Sequence, residues 1–115
     1  MSNFEEETMA LLKGAFPNYR VIEQHTVKYM GHTLFFDFYI PALQVLIECQ
    51  GEQHYKYVPH FHGMKSEYKE SKKRDQLKRE WAAQQEIPLL EIRFDERPQT
   101  ARDLFNMIHE VVFNE

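Results

Sequence analysis

Two acids in this chain sit where an acid is costly. Asp37 lies inside the run Leu34-Phe35-Phe36-Asp37-Phe38-Tyr39-Ile40, and Glu48 ends the apolar stretch Leu43 to Ile47, with Gln50 two residues on. In an extended chain successive side chains alternate between faces, so Glu48 and Gln50 point the same way. An isolated buried carboxylate costs on the order of several kcal/mol unless it is paired, protonated or bound to a cation. Two of them in apolar strands therefore suggest a hard divalent metal. Oxygen donors and a single thiol, Cys49, favour Mg²⁺ or Mn²⁺. The competing reading makes both acids strand-end groups that face solvent or pair with Arg93 or Lys78.

The elements that must position these groups follow from residue patterning. Ser2 or Asn3 can cap a helix over about Asn3 to Ala15, glutamates fill its first turn, and Gly14 with Pro17 closes it. Arg20 to Tyr29 and Thr33 to Ile40 are rich in Val, Ile, Thr, Tyr and Phe and flank Met30-Gly31-His32, which predicts a hairpin. Leu43 to Gln50 is a third strand, with Leu43, Val45, Ile47 and Cys49 on one face and Leu46, Glu48 and Gln50 on the other. Apolar residues on both faces make it a central strand. The stretch Glu52 to Met64 is expected as a loop with aromatic bulk.

A long charged helix then runs from about Ser66 to Glu86, carrying Tyr68, Leu77, Trp81 and Ala82 at helical spacing, and Pro88 stops it. Leu89 to Phe94 is a fourth strand, and Thr100 to Phe113 a closing amphipathic helix with Leu104, Ile108, Val111 and Val112 inward. The order is α-β-β-β-α-β-α. A helix acting as a crossover between the third and fourth strands predicts that these two are parallel, in a mixed four-stranded sheet flanked by helices, an α/β (α+β) fold.

Composition bounds the partners. The 115 residues suit one domain spanning 1–115, and 14% aromatic content suffices for a core. The net charge of −4 argues against coating a polyanion by bulk charge. Yet Lys65 to Arg79 holds seven bases against three acids, a window of +4 that leaves −8 elsewhere, so nucleic acid would be met on one helical face. Lys69, Lys72, Lys73 and Arg74 are its candidate phosphate contacts, which position a duplex without reading sequence. The alternative is a solvated helix laced with ion pairs, in which Asp75 meets Lys72 or Arg79. The lone cysteine, the acidic start and the absence of a long apolar run indicate a cytoplasmic protein without membrane association.

Phe36-Asp37-Phe38-Tyr39-Ile40-Pro41, followed by Ile47-Glu48-Cys49-Gln50-Gly51-Glu52-Gln53-His54-Tyr55, resembles the PD-(D/E)XK nuclease superfamily, in particular its small phage-type and very-short-patch-repair-like branch. The likeness extends to Phe4-Glu5, Leu11-Leu12 and Phe16-Pro17-Asn18 upstream. Downstream it takes in Phe61-His62-Gly63, Lys73-Arg74-Asp75, Lys78, Trp81 and Ile87 to Ile92. The resemblance implies a restriction-endonuclease-like sheet and a metal-dependent DNA endonuclease, phage-encoded and acting in a host cytoplasm, and the short length of 115 residues adds the expectation of low sequence specificity. The products would carry 5′-phosphate and 3′-hydroxyl ends. Asp37, Glu48 and the backbone carbonyl of Cys49 would hold Mg²⁺ or Mn²⁺, with no small-molecule cofactor. The partner would be double-stranded DNA, and a homodimer would suit cutting both strands.

Gln50 departs from the lysine usual at its position. It can orient a water by hydrogen bonds but carries no charge, and Lys78 is the candidate replacement. The same departure supports an alternative, a nucleic-acid-binding module that keeps the fold without turnover. Glu5 matches a first-helix glutamate of the family, with Leu12 and Phe16 on its helical side. His54 would contact the scissile phosphate or relay a proton. With His60 and His62 it suggests a rival histidine metal site of HNH type, for which this stretch lacks compact paired-ligand spacing.

Overall fold

The computed structural model describes residues 2–55 and 65–113. Helix α1 (Asn3–Ala15) starts where the Ser2 hydroxyl accepts the Glu5 N–H at 3.2 Å, and it buries Phe4, Thr8 and Leu12 along one stripe. Strands β1 (Ile22–Tyr29) and β2 (His32–Ile40) form a hairpin closed by Met30 and Gly31, both left-handed at φ 50° and 78°. Two such residues match the twist of the flanking strands, as a two-residue hairpin loop requires.

Strand β3 (Val45–Gln50) is fully buried. It starts later than the expected Leu43, because Leu43 donates to the carbonyl of Ile40 and Gln44, at φ 50°, donates to that of Pro41, closing a turn. A short 3₁₀ turn, Glu52–His54, follows β3. Helix α2 (Lys65–Gln84) ends ahead of the expected Glu86, which is left-handed at φ 57° and lets Ile87 donate back to the carbonyl of Ala82. Strand β4 is Leu89–Arg93 and helix α3 is Ala101–Phe113, the latter capped by reciprocal hydrogen bonds between Thr100 and Asp103.

The sheet order is β1-β2-β3-β4, antiparallel except for the parallel pair β3–β4, as expected for a crossover through α2. Helices α1 and α3 cover one face, where Leu12, Phe38, Ile40, Val45, Ile47, Ile92, Leu104 and Ile108 pack together. Gly14 admits α3 closely, since a Cβ there would lie 3.2 Å from that of Ala101. Helix α2 covers the other face, setting Leu77, Trp81 and Ala82 on Leu34, Phe36 and Leu46. The alternation expected for β3 holds, with Val45, Ile47 and Cys49 toward α1 and α3 and Leu46 toward α2.

One irregularity shapes the cleft end of the sheet. Phe36 and Phe38 are two residues apart in β2, yet Phe36 belongs to the α2 core and Phe38 to the α1–α3 core. The switch falls on Asp37. Across the hairpin, Gln24 is left-handed at φ 51°, and the Gln24–Asp37 rung is missing although the register is the same on either side. On its other flank the β2–β3 ladder stops at Phe38–Ile47, one step short of setting Asp37 opposite Glu48.

Candidate active site

Where β2 and β3 part, a cleft of about 510 Å³ opens, and Glu5, Asp37, Glu48, Cys49 and Lys78 all line it. Four elements meet there: α1 brings Glu5, β2 Asp37, β3 Glu48 and Cys49, and α2 Lys78. The amide left unpaired by the broken ladder is taken up by the site itself, since Cys49 N–H donates to Asp37 Oδ2 at 2.7 Å. Behind it, the Cys49 thiol donates to the Thr8 hydroxyl at 3.4 Å, and Thr8 donates to the carbonyl of Phe4 at 2.8 Å. This chain of bonds ties β3 to the helix turn that presents Glu5. Burial pushes the Cys49 thiol up to about 12, so it stays protonated and structural.

Glu48 is 3% exposed, and Lys78 Nζ approaches its Oε1 to 3.0 Å. Burial dominates its protonation, pushing the carboxyl up to about 8; Lys78 pulls the other way, and Asp37, within hydrogen-bonding reach, adds to the rise. The near-complete desolvation of Glu48 outweighs the opposing charge of Lys78. Glu5 is likewise raised, by burial first and then by the negative charge of Asp37. Glu5 and Glu48, each pressed toward its protonated form by burial and by the charge of Asp37, make the cleft a favourable setting for a cation.

Asp37 and Glu48 suit Mg²⁺ or Mn²⁺ in donor type and convergence. Mg²⁺ ordinarily takes one or two carboxylates and completes its shell with water and substrate oxygens. Among the described residues no larger group of His, Cys, Asp or Glu is gathered tightly enough to hold a metal.

Gln50 stands apart from these groups. It is 2% exposed, its amide nitrogen donates to Glu91 Oε1 at 2.9 Å, and its own carbonyl oxygen is buried without a partner. Arg79 grips the same Glu91 carboxylate at 2.9 to 3.1 Å, which fixes the orientation of the Gln50 amide. His54 lies in the 3₁₀ turn, but its side chain, like His60 and His62, is outside the described residues.

The basic residues of α2 divide between two directions. Lys72 leans over the rings of Tyr55 at 5.4 Å and Tyr68 at 5.7 Å. Lys73 and Arg74 line a separate groove of about 300 Å³ with His32 and Glu70, and Lys69 is exposed. Asp75 is buried and adds to the negative field on Arg79.

Sequence reasoning missed Arg97. It lines the cleft, with its guanidinium 4.0 Å from the Phe4 ring centroid, Nε on the carbonyl of Phe94 at 3.2 Å and Nη1 on Glu7 at 3.3 Å. No local pattern marks it, because the side chains it meets, Phe4 and Glu7, come from the other end of the chain. Gln53, beside the third strand, also lines the cleft. No helix among the described residues is long and apolar enough to cross a membrane.

No protein-family model matches the chain, and no solved structure does. Among curated proteins it is 37% identical over 68 residues to uncharacterized protein 307L of Invertebrate iridescent virus 6, a match covering 59% of this chain and 32% of that protein. It is also 34% identical over 83 residues to uncharacterized protein 094L of Frog virus 3 (isolate Goorha), covering 71% of this chain and 50% of that protein. The matches thus span half or less of these viral relatives.

Proposed function

We propose that the chain is a divalent-metal-dependent endonuclease of the PD-(D/E)XK type that hydrolyses phosphodiester bonds in DNA. The observation that carries this reading is the meeting of Asp37 and Glu48 where β2 and β3 part, with Lys78 at 3.0 Å from Glu48. Asp37 and Glu48 would hold Mg²⁺ or Mn²⁺, with the carbonyl of Cys49 as a further donor. The chemistry the ion would supply there is polarisation of the scissile phosphate and activation of water for attack.

Lys78 supplies the positive charge that Gln50 lacks, offsetting charge that develops on the phosphate. Glu5, raised by burial and by Asp37, is a candidate to accept the proton of the attacking water. Arg97 would meet a phosphate at the mouth of the cleft, and Lys69, Lys72, Lys73 and Arg74 would engage flanking phosphates. His54 stays a proposed phosphate contact. Similarity to two viral proteins supports a viral setting more broadly than a phage one.

A second reading, a nucleic-acid-binding module without turnover, is favoured by the tie between Gln50 and Glu91, which draws that amide away from the cleft. Incubation with supercoiled plasmid, linear duplex, single-stranded DNA and RNA, with and without Mn²⁺, separates the two. Metal-dependent product supports the nuclease. Salt-sensitive binding with no product in any metal supports the module.

A further inference from the structure

The hairpin beside the cleft has one covered face and one open face. Leu34 and Phe36 of β2 pack beneath α2, with the Phe36 and Trp81 ring centroids 5.5 Å apart. Alternation sends Phe35 and Thr33 to the opposite face, with their rung partners Thr26 and Lys28 beside them. Helices α1 and α3 do not cover that face, because β2 joins their core only at Phe38, past the switch at Asp37. Phe35 is consequently 50% exposed, two residues from a cleft carboxylate, and Lys28 donates to the Thr33 hydroxyl next to it.

We infer that this face is a binding platform for an unpaired nucleotide of the strand that enters the cleft, with Phe35 as its stacking residue. The inference rests on the nuclease reading for the identity of the cleft, and deepens it by naming the substrate class as single-stranded or locally unpaired nucleic acid. The residues argue for this occupant. The patch offers one aromatic ring, one cation and two hydroxyls, in a chain of net charge −4, and the next acid along β1, Glu23, lies at its cleft end, where it adds to the negative field on Glu5. An aromatic ring with a lysine and hydroxyls beside it matches a base with its phosphate, and every base has a face to stack. A duplex covers those faces with its own neighbours, so only an unpaired or terminal base can use the ring. The patch also runs directly into the carboxylate cleft through Asp37, so a strand lying on it delivers its backbone to the site.

The test measures binding by fluorescence anisotropy, with and without Ca²⁺, using labelled oligothymidylate and a labelled blunt duplex. Phe35→Ala is expected to weaken oligothymidylate binding about tenfold and to change duplex binding far less, while Phe35→Trp restores it. Lys28→Ala should lower the salt slope for the single strand by about one. Sedimentation of the wild type and Phe35→Ala runs alongside. Equal loss on both probes, no loss on either, or a dimer that dissociates on Phe35→Ala without a change in binding would overturn the platform. Because binding is read without cleavage, a platform that stands while the wild type yields no product in any metal would sink the nuclease reading alone.

Discussion

Asp37 Oδ2 accepts the backbone N–H of Cys49 at 2.7 Å, so one carboxylate both faces the cleft and closes the gap left where the β2–β3 ladder stops. The two roles separate by mutation. Asp37→Asn keeps an oxygen acceptor and should retain stability to within about 1 kcal/mol while losing metal binding. Asp37→Ala strands the Cys49 amide and should cost about 1–3 kcal/mol in addition. Urea unfolding of both variants checks this, and makes Asp37→Asn the cleaner probe of the site.

Glu48 and Lys78 form a pair whose members depend on one another unequally. With Lys78→Met the carboxyl loses the cation that favours its ionised form, and its pKa rises further. The variant should fold almost normally at about pH 6, where Glu48 keeps its proton. At about pH 9 it should lose about 2 kcal/mol more than the wild type, since an ionised buried group is then left unpaired. Thermal melts at the two pH values measure the difference. A metal saturating the site should narrow it.

Proton and metal compete for Glu48. Its carboxyl is raised from the ordinary 4.5 to about 8, so the folded state holds a proton that the unfolded state releases between those values. The stability this contributes is complete below pH 4.5 and is lost as pH rises through about 8. Mg²⁺ requires the carboxylate, so its affinity should increase by up to about tenfold per pH unit below pH 8, with up to one proton released on binding. Calorimetric titration in buffers of different ionisation enthalpy reads that proton. Glu48→Gln should abolish the slope along with the binding.

Gln24 is held at φ 51° inside β1, a conformation that costs an L-residue about 1 kcal/mol. Gln24→Gly should therefore be neutral or stabilising by up to about 1 kcal/mol, against the usual penalty for glycine in a strand. Gln24→Val should destabilise, because a β-branched residue tolerates that φ poorly. Denaturant midpoints for the pair give the sign. If both variants follow ordinary strand propensity, the switch in β2 does not depend on Gln24.

Much of the layout was legible because it is written in local patterns. The two-faced apolar run around Leu46 and Ile47 announces an interior strand, and Pro88 after a charged helix announces the crossover. Asp37 and Glu48 stood out as acids among apolar neighbours. What the patterns do not carry is where alternation fails. Nothing in Phe35-Phe36-Asp37-Phe38 says that the strand changes faces at Asp37, because the change involves the backbone of Gln24 across the hairpin and the end of the ladder to β3. Arg97 was hidden for the same reason, its contacts lying on Phe4 and Glu7 some ninety residues earlier. Gln50 was legible as a departure, yet its tie to Glu91 follows only from the parallel register of β3 and β4.

The proposed activity requires Asp37 and Glu48 to act together on a metal to cut a phosphodiester bond. The most direct measurement is cleavage of a labelled DNA strand and a plasmid by the purified wild type and by folded Asp37→Asn, in Mg²⁺, in Mn²⁺ and in EDTA. Product is expected from the wild type in either metal, none in EDTA, and a loss of at least about a hundredfold in Asp37→Asn. Equal cleavage by the variant, or cleavage by the wild type that survives EDTA, would contradict the proposed activity.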